Sequence, residues 1–147
     1  MSASPSRSAA CLATVALIGL AAIAAGQSTE ARLRARLSPV PVESSNADKI
    51  TGKGAATAVL SGAMLEISGT FEGMKSPATI AQVHIGQRGV RGPVEFDLTI
   101  VKAPSGTFGG SLRLSKVQID SLKRGWFYIQ IHSEQAPDGN LWGWLLP

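Results

Sequence analysis

From residue 31 onward the chain alternates apolar and polar positions with a period of two, the pattern of strands with one buried face. Ala31, Leu33, Ala35 and Leu37 fall on one side, with Arg32, Arg34 and Arg36 on the other. Residues 52–60 predict a strand of small residues, ending in a two-residue turn at Ser61-Gly62. Leu65, Ile67, Gly69 and Phe71 then alternate with Glu66, Ser68 and Thr70. After a break at residues 73–77, Ala81, Val83 and Ile85 alternate with Gln82 and His84. Val94, Phe96, Leu98 and Ile100 repeat the pattern, and so do Phe108, Gly110, Leu112 and Leu114. Near the end, Phe127, Ile129 and Ile131 oppose Tyr128, Gln130 and His132, and Leu141, Gly143 and Leu145 oppose Trp142 and Trp144.

The separators have turn chemistry. Residues 38–48 (SPVPVESSNAD) read as an extended loop, and residues 86–93 (GQRGVRGP) as a loop rich in Gly and Arg. Residues 103–106 and 136–139 read as turns. One helical turn interrupts the strands. Ser115 and Gln118 have capping-box spacing, Ile119 and Leu122 form an i,i+3 apolar pair, and Gly125 stops the helix. The expected fold is all-β: an antiparallel β-sandwich or flattened barrel of about eight strands with one short helix. No long helix alternates with the strands, which excludes a doubly wound parallel sheet.

The first 26 residues follow a different rule. A polar start with one positive charge at Arg7 precedes an uncharged apolar run, residues 8–25, that ends in small residues. This is the build of a secretory signal peptide, with cleavage expected after Gly26 and a β domain spanning residues 27–147. The expected location is secreted or periplasmic, with no stable membrane span after cleavage. An uncleaved membrane anchor is the alternative, because the run sits at the lower length limit for a spanning helix. Cys11, the only cysteine, lies inside this segment. Its removal excludes disulfides, cysteine nucleophiles and zinc ribbons from the mature domain. Without Arg7 the chain keeps 13 basic and 10 acidic residues, too mild an excess for a dedicated nucleic-acid binder.

Three segments together resemble the CHRD (chordin-type) domain family. Gln82-Val83-His84-Ile85-Gly86, running to Gly92-Pro93-Val94, is similar to that family's AHIH…G..GPV stretch. Leu114 to Gln118, with Leu122 and Gly125, resembles its L-T-x-x-Q…L…G turn. Tyr128 to Ser133 and Pro137 to Gly143 resemble its YVNVHT…P.GEIRG ending. The resemblance implies a β-sandwich-like domain of exported proteins. Three departures matter. Gln82 stands where the family has the first histidine of an H-x-H pair, Asn140 where it has Glu, and Trp142 where it has Arg.

Candidate chemistry is sparse. His84 and His132 are the only histidines, each in phase with a glutamine, Gln82 or Gln130. On adjacent strands they would offer two imidazoles to a Cu or Zn ion, although a competent site normally has three or four ligands. The alternative is that both rings brace the sheet by hydrogen-bonding to carbonyls in loops 86–93 and 134–138. Trp126, Tyr128, Trp142 and Trp144 all fall opposite the apolar positions of the last two strands, either as an exposed partner patch or as a second buried layer. The three arginines of residues 32–36 read as a solvated face, with an anionic docking stripe as the alternative. No nucleophile elbow or phosphate cradle is present. The expectation is a non-catalytic module binding a protein or cell-envelope component, with no cofactor. A Cu/Zn protein using His84 and His132 is the runner-up.

Overall fold

The computed structural model describes residues 29–147, so the expected leader and Cys11 lie outside the described residues. Each alternating run becomes a strand. The elements are β1 (Ala31–Pro39), β2 (Lys53–Ser61), β3 (Met64–Glu72), β4 (Ala78–Ile85), β5 (Val94–Ile100), β6 (Gly106–Arg113), α1 (Lys116–Lys123), β7 (Phe127–Ser133) and β8 (Leu141–Trp144). All strand pairs are antiparallel, in the order β1-β2-β3-β6-β5-β4-β7-β8, and β8 returns to β1. The sequence left sandwich and barrel open. The structure is a closed barrel, and closure leaves no free sheet edge.

The inward residues are those the alternation singled out, except that Ala31 at the start of β1 is exposed. Leu33, Ala35, Leu37, Leu65, Ile67, Phe71, Ala81, Val83, Ile129, Ile131, Leu141 and Leu145 are buried in one core cluster. Large and small residues interlock within it. Gly69 has no side chain because the Phe108 ring occupies the space where a Cβ would stand. The helix forms as its capping box predicts: Ser115 Oγ accepts from the Gln118 amide at 3.2 Å, and Gln118 Oε1 accepts from the Ser115 amide at 2.8 Å. Leu122 is buried with the core, and Gly125 ends the helix at φ +73°.

Three local expectations change. The first hairpin turn is Gly62-Ala63, since Ser61 pairs with Met64 and Gly62 supplies the positive φ of +59°. Val94 is exposed, because the register of β4 and β5 shifts between Val83 and His84 and the end of β5 leaves the core. Strand β7 is buried on both faces along its whole length, not on one. Two loops cover its outer side and create the candidate site.

Candidate functional site

Antiparallel pairing places the outward residues of β4, β7, β8 and β1 in rows. Gln82 pairs with Gln130, and Gln130 with Trp142. The next row runs from His84 through Tyr128 to Trp144. On the far side Trp142 pairs with Ser38. The loop at residues 86–93 and the turn at residues 134–139 fold over these rows. Arg91 ties the two segments together, donating from Nη1 to the Asp138 carbonyl at 2.7 Å, with its guanidinium carbon 5.9 Å from the Trp142 ring centroid. Outside them, Val40, Ile50 and Ala136 form a small second core against Trp142.

Both histidines are held by these loops. His84 Nδ1 lies 2.9 Å from the Gly92 carbonyl, and His132 Nδ1 lies 2.7 Å from the Pro137 carbonyl. A carbonyl can only accept, so each Nδ1 carries a proton. Gln130 Nε2 donates to the Asp138 carbonyl at 3.0 Å and stands 3.4 Å from His132 Nε2. Among the described residues two buried side-chain atoms have no protein partner, His84 Nε2 and Gln130 Oε1. Both can only accept in this arrangement. Burial holds the His84 pKa below the ordinary imidazole value against the opposing pull of its bond to Gly92, and His132 and Arg91 push it further down. The neutral ring is therefore the native form at neutral pH.

The aromatic group has three members rather than four. Tyr128 is fully buried, stacked on His84 at 4.8 Å and leaning on Trp144 at 4.8 Å. Trp142 meets Trp144 edge to face at 4.8 Å. Trp144 is fixed by an Nε1–H bond to the Gly86 carbonyl at 2.9 Å. Trp126 stands apart with Arg124 over its ring at 5.1 Å. It precedes β7 and joins the helix end to the sheet, its amide bonding to the Ser121 carbonyl and its carbonyl accepting from the Gly86 amide. Gln82 also leaves the group: its amide donates to Asp97 on β5 at 2.8 Å, outside the loop cover.

Asn140 is a structural bracket. Fully buried, it accepts from Ser133 Oγ at 3.0 Å and donates to the Thr51 carbonyl at 2.8 Å, which the carboxylate of a Glu could not do. A family model, the CHRD domain, matches residues 30–145. The chain belongs to the CHRD domain family. No curated protein and no solved structure matches it. The matched segment of this CHRD domain contains every residue of the loop-covered face, from His84 to Trp144.

The sequence offered the arginines of β1 as an alternative anionic stripe, but did not join Arg36, Arg88 or Arg91 to the aromatic face. The arginines of β1 border the outward tryptophans of β8, and together with Arg88 they enclose an open groove of about 250 Å³. Loop 86–93 offered a signal in its two arginines, but the neighbour relation of β1 and β8 depends on barrel closure. Among the described residues no group of three or more His, Cys, Asp or Glu is placed to hold a metal ion, and no helix is long and apolar enough to cross a membrane.

Proposed function

We propose that this CHRD domain is an exported, non-catalytic binding module that engages a protein or cell-envelope component through the groove between β1 and β8. The observation that carries the reading is the groove wall itself. Trp142 and Trp144 are half-buried, locked to each other and to Gly86, and bordered by Arg34, Arg36 and Arg88. Rigid tryptophans beside arginines are the residue types that dominate binding hot spots. A non-catalytic role is supported by the histidines, whose Nδ1 atoms serve as loop tethers. Saturable binding of the purified protein to an envelope preparation from the producing cells tests the reading, scored by co-sedimentation. Trp142→Ala is expected to weaken it by about tenfold or more, the effect of a hot-spot residue. Binding that does not saturate, or that ignores Trp142, overturns it.

One observation favours a second reading, a Cu or Zn site. His84 Nε2 is buried without a partner while its Nδ1 is fixed by a backbone carbonyl, the outer-shell arrangement of a metal-binding histidine, and His132 Nε2 would join it by giving up its 3.4 Å contact with Gln130 Nε2. The unpartnered Gln130 Oε1 is the oxygen nearest in chemistry to a third ligand. Titration of the Cys11→Ser protein with Zn(II) and Cu(I) decides it. One equivalent bound, and lost in His84→Ala and His132→Ala, establishes the site; unchanged metal content in those variants removes it.

A further inference from the structure

The groove is cationic without being neutralised. Arg34 and Arg36 project from β1, and Arg88 comes from the loop covering the barrel's outer face. Ser38, Trp142, Gly143, Trp144 and Leu146 complete the lining, and among the described residues no carboxylate takes part. The ion pairs among the described residues join Arg32 to Glu30, Lys53 to Glu72 and Lys116 to Asp120. None uses a groove arginine. Three guanidiniums facing one concavity repel each other, and an anionic ligand would relieve that repulsion while accepting paired N–H bonds.

The spacing says which anion. Ser38 pairs with Trp142, and Arg34 exchanges backbone bonds with Leu146 at 2.6 and 2.8 Å, so Arg36 lies beside Trp144. Arg34 and Arg36 are two residues apart on one strand, which separates their Cα atoms by roughly 6.6 Å. An extended peptide presents every second side chain with the same repeat. Resting on the deduced role of this groove in binding, we infer that its ligand is an acidic segment of a partner protein, held extended, with carboxylates at alternate positions. The carboxylates meet Arg34 and Arg36, and Arg88 closes on the ligand from the opposite wall. A neighbouring apolar side chain of the segment packs on the Trp142–Trp144 edge. Nucleobases fit poorly here, because the two indoles pack on each other and Arg91 covers Trp142.

The test uses three synthetic peptides of equal length: alternating Glu-Thr, the same composition with its glutamates in one block, and alternating Lys-Thr. Calorimetry with the purified protein is expected to rank alternating Glu-Thr first and to detect no binding of Lys-Thr. Affinity should fall as salt is raised. Arg36→Glu is expected to weaken binding by about tenfold or more, and Arg32→Glu, outside the groove, by less than about threefold. Circular dichroism confirms that both variants fold. Equal binding of the blocked and alternating peptides, or an intact Arg36→Glu, overturns the inference. Preference for a polyuronate oligosaccharide over every peptide overturns it in favour of an acidic glycan. If no peptide binds while envelope binding still depends on Trp142, the ligand class is wrong and the module reading stands. If both are absent, both fall.

Discussion

Gly143→Ala is expected to destabilise the protein by about 3 kcal/mol, the upper range for overpacking a buried site. Gly143 lies on the inward side of β8 between Leu141 and Leu145, facing β1. A Cβ there would stand 2.9 Å from the carbonyl carbon of Arg36, closer still to its oxygen, and 3.3 Å from Leu37 Cα. These are backbone atoms, so relief requires β1 to move away from β8. That seam is short: two paired positions, Ser38 with Trp142 and Pro39 with Leu141, and the bridge from Arg34 to Leu146. Gly62→Ala is the control. Gly62 has φ +59° and open space within 4 Å of where a methyl would stand, so only the left-handed backbone cost of about 1 kcal/mol applies. Urea denaturation of both variants gives the comparison. Equal losses would mean that β8 does not close tightly on β1.

Why this seam was invisible in the sequence has a physical reason. Period-two alternation reports which side of each strand is buried, and it located the eight strands and the inward set from Leu33 to Leu145. Strand order is a property of pairs distant along the chain. The contact of Ser38 with Trp142 joins opposite ends of the domain, and no local signal encodes it. Alternation also misled at Ala31, which is exposed, at Val94 and in β7. At Val94 the β4–β5 register shift moves the strand end out of the core. In β7 the outward residues looked solvent-facing because the covering loops lie elsewhere in the chain.

The site was legible in the same uneven way. Loop carbonyls as partners for His84 and His132 followed from the polar loops next to each strand, and Gly92 and Pro137 fill those roles. Trp126 was counted with the aromatic face because alternation was carried one residue past the start of β7. The junction with the helix end sets that residue apart, with its amide bonded to Ser121 and Arg124 over its ring. The arginines of β1 read first as a solvated face on their own strand, with an anionic docking stripe as the alternative. Barrel closure sets Arg34 and Arg36 against β8, where solvated charges become one wall of a groove. Asn140 and Trp142 mark departures from the family pattern, and the structure gives them different roles: Asn140 braces the fold, while Trp142 reaches the groove.

Tyr128 is the pillar between these two parts, and Tyr128→Ala is expected to cost about 4 kcal/mol, the range for removing a buried aromatic ring. The ring fills the space between His84 and Trp144, with Trp142 meeting it edge-on at 6.0 Å. Its hydroxyl accepts from the Gly92 amide at 3.0 Å, so the same side chain holds the loop that tethers His84. Tyr128→Phe separates these contributions. It keeps the ring and removes the hydroxyl, and a loss of about 1 kcal/mol is expected for the hydrogen bond. Denaturation midpoints measure both costs. Near-ultraviolet circular dichroism reports the tryptophan packing, which Tyr128→Phe should preserve and Tyr128→Ala should disturb. If Tyr128→Phe costs as much as Tyr128→Ala, the loop tether and not the ring supports this face. In that case Trp144, which has its own bond to Gly86, would keep its place without the tyrosine ring beside it.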